Sequence, residues 1–335
     1  MTDPIKPFRR WWITIQAINR KLRLSTFLVC VMLGVSVRAS TPAPGNRLDW
    51  LAPAGVNYDR ARFRLWHPDG IGSVQGVVVL APGSNEDGRS QVEDWQWQAF
   101  AARHHLALLG CDFSDKPHSQ MFIEAYANAS RGSGQALLDA LTAFGDQLNR
   151  PELARAPLLL WGMSAGGQFN YEFVAWKPDR VAGFIVNKGG IYYSALLSPE
   201  ARQVPGLLFI GGKDLASRQD AIRGLFAINR RAGALWALVE EPTTAHVVGR
   251  SRAMAEMFFE DLLALRLPSL SSLSQIELHP LAEKDGFTGD LKAHTVQKIG
   301  TEESGISVDD VASWLLTERI AHAWKAVSKN QPLPE

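Results

Sequence analysis

Leu158-Leu159-Leu160-Trp161-Gly162-Met163-Ser164-Ala165-Gly166-Gly167 decides the fold. The run from Pro157 to Trp161 is short and continuously apolar, as in a strand covered on both faces. Gly166 to Trp176 repeats apolar residues at helical spacing. Between them stands a G-x-S-x-G pattern, which gains meaning from that strand-before, helix-after setting. A sharp turn there carries Ser164 at the strand's tip in strained backbone. Gly162 and Gly166 flank it because side chains would collide with the neighbouring strand and helix. The N-terminus of the following helix also turns backbone N–H groups toward developing negative charge.

Outward from this turn, strand and helix patterns alternate. Arg62 to Trp66 alternates polar and apolar residues, as a half-buried edge strand would, and Gly76 to Leu80 is a buried strand. Gln91 to His104 suits a helix, and the apolar Leu106 to Leu109 follow. Leu137, Leu141, Phe144 and Leu148 mark one greasy helix face. Val181 to Val186, Leu207 to Ile210 and Leu235 to Val239 continue the strand series. Ser217 to Arg231 reads as a helix between the last two, and Met254, Met257, Phe258, Leu262 and Leu265 as a closing one. This rhythm predicts an α/β fold, with a mainly parallel sheet and helices on both faces. Beyond Pro268 the pattern weakens until Val308 to Val327, which reads as a helix opened by Asp309-Asp310.

A serine hydroxyl needs a base and an orienting acid to become a nucleophile at neutral pH. In this kind of fold they follow the serine in the order acid, then histidine. Asp214 stands in Gly211-Gly212-Lys213-Asp214, just past a strand and two strand–helix units after Ser164. Its rivals are Asp220, within a helix, and Glu240 or Glu241, after the next strand. His246 closes the loop Glu240-Glu241-Pro242-Thr243-Thr244-Ala245-His246 and is the only histidine between His118 and His279. The expected catalytic residues are therefore Ser164, Asp214 and His246. For the oxyanion hole, the N–H groups of Ala165 and Ser84 are expected. Ser84 lies in Leu80-Ala81-Pro82-Gly83-Ser84-Asn85, where Gly83 permits close backbone approach.

The elbow, the late aspartate and the later histidine resemble the α/β-hydrolase superfamily over roughly Arg62 to Leu265. Within it, the leader and the compact region before the elbow are similar to poly(3-hydroxybutyrate) depolymerase-like and feruloyl-esterase-like exported enzymes. Those enzymes commonly carry His-Gly in the oxyanion loop, where this chain has Pro82-Gly83. The resemblance implies a serine esterase.

Other features point to binding. Trp95 and Trp97, with Phe100, are candidates for an aromatic platform; being two apart on a helix, one packs inward and one faces out. Lys188 and the pair Tyr192-Tyr193 follow a strand, where Lys188 is a candidate to attract a carboxylate and the tyrosines to line a pocket; a solvated loop with packed rings is the other reading. No His/Cys cluster, H-E-x-x-H or P-loop glycine pattern occurs, so no cofactor or metal is inferred.

Charge is uneven along the 335 residues. Seven of the 35 basic side chains and one of the 34 acidic ones lie in residues 1–39, leaving 28 against 33, a net −5. The overall +1 gives no reason to expect a nucleic-acid partner. Arg20-Lys21-Leu22-Arg23 precedes an apolar run from Leu24 to Val37, and Val37-Arg38-Ala39 supplies small residues at a cleavage site. This is signal-peptide length, below the roughly 18 to 20 residues of a spanning helix. A retained anchor is the alternative. Cys111 alone then remains of the two cysteines, so no intrachain disulfide is expected, and burial beside Leu106 to Leu109 suits it.

The expected organisation is a signal peptide over 1–39, an α/β-hydrolase catalytic domain over 40–267, and an extension over 268–335 packed on the same domain. The expected activity is cleavage of a small-molecule or polymeric carboxylic ester by a bacterial protein exported to the periplasm or medium, without stable membrane association once the leader is removed. A peptidase of the same fold and a noncatalytic secreted binding protein on the same scaffold are the alternatives.

Overall fold

The apolar runs become neighbouring strands. The computed structural model describes residues 43–120, 123–267, 278–300 and 311–334; the expected leader over 1–39 and Asp309-Asp310 lie outside them. The strands are β1 (Gly45–Leu51), β2 (Arg60–Pro68), β3 (Gly76–Ala81), β4 (Leu106–Ser114), β5 (Leu158–Met163), β6 (Val181–Asn187), β7 (Gly206–Gly211), β8 (Trp236–Glu241), β9 (Phe287–Gly289), β10 (Val296–Lys298) and β11 (Ser313–Leu315). The helices are α1 (Trp95–Arg103), α2 (Ser133–Leu148), α3 (Ala165–Trp176), α4 (Pro199–Arg202), α5 (Ala216–Arg231), α6 (Ser251–Arg266) and α7 (Glu318–Ser328).

Eight strands form one sheet in the order β1-β2-β4-β3-β5-β6-β7-β8. From β4 across to β8 every neighbouring pair is parallel, while β1–β2 and β2–β4 are antiparallel. Alternate residues of each central strand feed two cores. Val77, Val79, Leu158 and Leu160 face α2, α3 and α5, which contribute Leu137, Phe144, Phe169 and Phe226. Val78, Leu80, Leu159 and Trp161 face α1, α6 and α7, which contribute Phe100, Phe258 and Trp324. Burial on both faces is why these strands are written almost wholly in Val, Leu and Ile.

Three sequence expectations change. Arg62 to Trp66 belongs to a longer strand, β2, that is not the edge; β1 flanks it, exposing Arg47 and Asp49 while Leu48 and Trp50 pack partly against the core. The helix expected from Gln91 starts only at Trp95. Asp94 takes an extended conformation, and its side chain accepts from Gln96 and Trp97 N–H at 2.9 and 3.1 Å. An aspartate favours that capping position over a helix interior. A 3-10 turn, Gly88–Glu93, fills the preceding stretch.

The third change is at the C-terminus. Within the described part of Val308 to Val327, Ser313–Leu315 is a strand paired with β9. The helix begins at Glu318, where Thr317 Oγ1 accepts from Ile320 N–H at 3.2 Å. These elements cover the sheet's β8 edge. Ser313 Oγ accepts from Leu238 N–H (3.0 Å), and Trp324 Nε1 donates to Leu238 C=O (2.6 Å). Side chains thus satisfy backbone groups that an edge strand otherwise leaves open. Cys111 is fully buried in β4, and burial pushes its thiol pKa up, as for an inert packed residue.

Candidate active site

Ser164 stands between β5 and α3 with φ 53° and ψ −119°, a conformation that L residues rarely occupy. Its N–H donates to Asn187 C=O at 2.8 Å, which ties the turn to the end of β6. The flanking glycines are steric necessities. A Cβ on Gly162 would lie 2.3 Å from Gly166 C=O oxygen, and one on Gly166 would lie 2.1 Å from the carbonyl oxygen of Ala81. Gly166 thereby lets the first turn of α3 press against the loop after β3.

Asp214 sits in the loop after β7 and His246 in the loop after β8. The two loops are stitched together: Gly212 N–H donates to Glu241 C=O (2.9 Å) and Lys213 N–H to Thr244 C=O (3.0 Å). Gly211 and Gly212 make this possible, since a Cβ at either would come within 2.5 Å of the Thr244 or Pro242 carbonyl oxygen. Across this seam His246 Nδ1 lies 2.7 Å from Asp214 Oδ2, and His246 Nε2 lies 3.0 Å from Ser164 Oγ. An ionised carboxylate only accepts, so Nδ1 carries the proton and donates to Asp214. Nε2 is then the acceptor facing the serine hydroxyl.

Asp214 is built to remain charged. Its side chain is 3 % exposed. Burial alone would raise its pKa. Hydrogen bonds from His246, Leu215 N–H (2.7 Å) and Arg218 (3.0 Å) outweigh that and hold the carboxyl below its ordinary value. The rival acids lie elsewhere. Asp220 is near Arg223 at the surface, Glu240 bonds Arg223, and Glu241 turns inward to Lys188.

The loop after β3 is equally fixed. Gly83 N–H donates to Glu86 Oε2 (3.1 Å), and Asn85 N–H donates to Tyr126 Oη (3.2 Å). Asn85 Oδ1 accepts from Asp115 N–H at 3.1 Å. Gly83 and Asn85 N–H groups are therefore engaged. Ser84 N–H has no hydrogen-bond acceptor among the described residues. Ala165, first residue of α3, is among the positions whose N–H groups a helix leaves without an internal partner.

Beside this loop a cleft of about 460 Å³ is lined by Gly83, Glu86, Trp97, Trp161, Met163 and Val248, among others. Trp97 is buried against Trp161, their ring centroids 6.1 Å apart, while Trp95 is 45 % exposed. Lys188 does not serve as a substrate anchor. It is 1 % exposed and pairs with Glu241 at 2.5 Å. Tyr192 packs edge-on to Tyr171, whereas Tyr193 is exposed, its Oη donating to Glu124 C=O at 2.9 Å. Nothing in the sequence foretold the Lys188–Glu241 pair, because its partners lie 53 positions apart. Among the described residues no group of three or more His, Cys, Asp or Glu side chains is placed to hold a metal ion.

No protein-family model matches the chain, and no curated protein matches it in sequence. Solved structures do match in shape. A poly(3-hydroxybutyrate) depolymerase from Bordetella parapertussis is 20 % identical, with a TM-score of 0.49 over 69 % of this chain and 93 % of that one. A poly(aspartic acid) hydrolase from Sphingomonas sp. KT-1 is 14 % identical, with a TM-score of 0.45 over 65 % and 100 %. An esterase from Pyrobaculum calidifontis is 12 % identical, with a TM-score of 0.46 over 75 % and 92 %. The molecule's own topology carries the fold. An antiparallel second strand, the inverted β4-β3 pair at the start of a parallel run and a strained serine between β5 and its helix are its marks. On this topology the chain has the α/β-hydrolase fold.

Proposed function

We propose that the protein is a serine hydrolase that cleaves carboxylic esters through an acyl-enzyme. The observation that carries this reading is the Asp214–His246–Ser164 chain of contacts, 2.7 and 3.0 Å long, drawn from three separate loops. His246 Nε2 takes the proton as Ser164 Oγ attacks the ester carbonyl. Asp214, kept anionic by its hydrogen bonds, holds the productive tautomer and stabilises the imidazolium. The Ser84 and Ala165 N–H groups receive the oxyanion, and a single such donor is worth on the order of 10² to 10³ in turnover. His246 then returns the proton to the departing alcohol. Water, activated by the same imidazole, attacks the acyl-enzyme carbonyl and frees the acid and Ser164. No metal or cofactor is required by this scheme.

The cleft beside Met163 and Gly83 is large enough to receive part of a substrate next to the nucleophile. Its lining sets Met163 and Val248 beside Glu86, Asp94 and Arg252, which suits a substrate with both apolar and polar portions. With the leader expected over 1–39, we place this activity outside the bacterial cytoplasm, on a small-molecule or polymeric ester. Hydrolysis of p-nitrophenyl acetate tests the reading. Wild type releases p-nitrophenol, and Ser164→Ala loses more than about 10³-fold in rate. Equal rates in the two proteins would overturn it.

A further inference from the structure

We propose that the buried Lys188–Glu241 pair is a clamp that holds the His246 loop against the nucleophile, making Lys188, Glu241 and Asn187 positioning residues for the reaction. This inference rests on the triad reading above. The loop from 242 to 249 is largely exposed: Pro242, Thr243, Ala245, Val247, Val248 and Gly249 all face solvent. With so little apolar burial, packing cannot fix its imidazole, so the loop's geometry must come from polar ties.

Those ties converge on one buried unit. Glu241, 2 % exposed, ends β8 immediately before the loop, and its Oε1 accepts from Arg250 N–H at 2.7 Å, immediately after it. One carboxylate thus pins both ends of the segment that carries His246. Gly249 crosses directly over it, with φ +58° and room for no Cβ, which would lie 2.4 Å from Glu241 Oε1. The other carboxylate oxygen accepts from Lys188 Nζ at 2.5 Å. Lys188 Nζ also donates to Asn187 Oδ1 at 2.9 Å. Asn187 Nδ2 in turn donates to Val248 C=O (3.1 Å) and to Ser251 Oγ (2.8 Å), gripping the loop's far limb. The main-chain oxygen of the same Asn187 receives Ser164 N–H at 2.8 Å. A continuous path therefore runs from the backbone of the nucleophile to both ends of the base's loop.

Charge explains why the path needs Lys188. An isolated carboxylate at the depth of Glu241 would be strongly penalised, and Lys188 supplies its counter-ion. Burial lowers the pKa of Lys188, while Glu241 and Asp214 oppose that shift. Lys188 itself is locked by its own backbone, at φ +59° with its N–H donating to Phe209 C=O at 3.0 Å. Buried ion pairs contribute little net stability compared with well-packed neutral groups of like volume. A role in geometry accounts better for two charges placed beneath an exposed loop.

The test uses the full chain as wild type, Lys188→Met, and Lys188→Met/Glu241→Gln. The double variant leaves no charge stranded and keeps an acceptor for Arg250 N–H, so it carries the test even where the single variant does not fold. Melting temperature, fluorophosphonate labelling rate at Ser164, and kcat and KM for p-nitrophenyl acetate are measured on each. The clamp predicts a double variant that melts close to wild type. It also predicts that labelling rate and kcat fall roughly 10- to 100-fold, as for an ångström-scale misplacement, with KM held within about twofold. A folded double variant with wild-type kcat and labelling rate overturns the clamp while leaving the triad reading intact. A wild type that is not labelled at all removes the triad reading, and the clamp with it.

Discussion

Asp214→Asn isolates the contribution of one oxygen atom. In the native site Asp214 Oδ1 accepts from Leu215 N–H (2.7 Å) and Arg218 (3.0 Å), while Oδ2 accepts from His246 Nδ1 at 2.7 Å. Asparagine fills the same volume with one acceptor and one donor. Two donors converge on the Oδ1 position, so the amide oxygen settles there and the NH₂ group faces His246. The imidazole must then present an unprotonated Nδ1, which places its proton on Nε2, 3.0 Å from Ser164 Oγ. In that tautomer it cannot accept the serine proton. Flipping the amide to restore the working tautomer breaks the bonds from Leu215 N–H and Arg218, at about 2 to 4 kcal/mol together. The imidazolium formed during attack also loses its anion. A total of about 4 to 5.5 kcal/mol corresponds to a fall in kcat of about 10³ to 10⁴. An inverted tautomer costs a similar factor in serine proteases. KM stays within about threefold, because Asp214 does not line the cleft. The assay is steady-state hydrolysis of p-nitrophenyl acetate by protein whose folding is checked by circular dichroism. A folded Asp214→Asn enzyme within tenfold of wild type would refute the tautomer argument.

Gly166→Ala places a Cβ 2.1 Å from Ala81 C=O oxygen, so either α3 or the oxyanion loop must move; soluble variant, if recovered, shows kcat reduced by about 10², and unchanged kcat contradicts the packing. Trp324→Ala empties a fully buried site and removes the shorter of the two hydrogen bonds to Leu238 C=O at the β8 edge, leaving that from Ser313 Oγ at 3.3 Å. Chemical denaturation is expected to show a loss of about 3 to 5 kcal/mol, whereas a loss below about 1 kcal/mol would mean that α7 is not integral to the fold. The carboxyl pKa values of Asp49, Asp87, Asp94 and Asp214 are all lowered on folding, that of Asp87 to about 2 through its bonds from Arg89. Each contribution is complete above the unfolded value near 3.8 and is lost as pH falls through the folded one. Urea midpoints therefore hold between about pH 7 and 5 and drop below about pH 4; a midpoint at pH 3 equal to that at pH 6 would show that these pairings do not stabilise the fold.

The parts of the molecule legible in the sequence are those where one local rule dominates. Pro157 to Trp176 could be read because buried-strand composition, a glycine-flanked serine and helical periodicity follow one another without a gap. Asp214 and His246 were reachable because this fold orders its loops along the chain, and each follows a recognisable strand. β1 escaped because its inward alternation is only Leu48 and Trp50, too short to stand out, with Leu51 beside them exposed. The start of α7 escaped because Ser313–Leu315 is held as a strand by pairing with β9, some 25 residues earlier, which displaces the helix start to the Thr317 cap. Lys188 departs from both readings its sequence allows, a substrate anchor and a solvated loop residue, for a deeper reason. A lysine after a strand usually reaches solvent, and only the fold reveals that Glu241, at the end of another strand, turns in to meet it. Glu241, a rival to Asp214 by sequence, is thereby turned away from His246.

The central claim is that Ser164 is made nucleophilic by His246. Incubation of the purified protein with a fluorophosphonate, followed by proteolysis and mass spectrometry, measures this directly, because only an activated serine reacts at an appreciable rate. The account predicts a single adduct, on the peptide containing Ser164, whose formation slows by at least about 10²-fold in His246→Ala. A folded protein that forms no adduct, or forms it on Ser164 at the same rate without the imidazole, would contradict it.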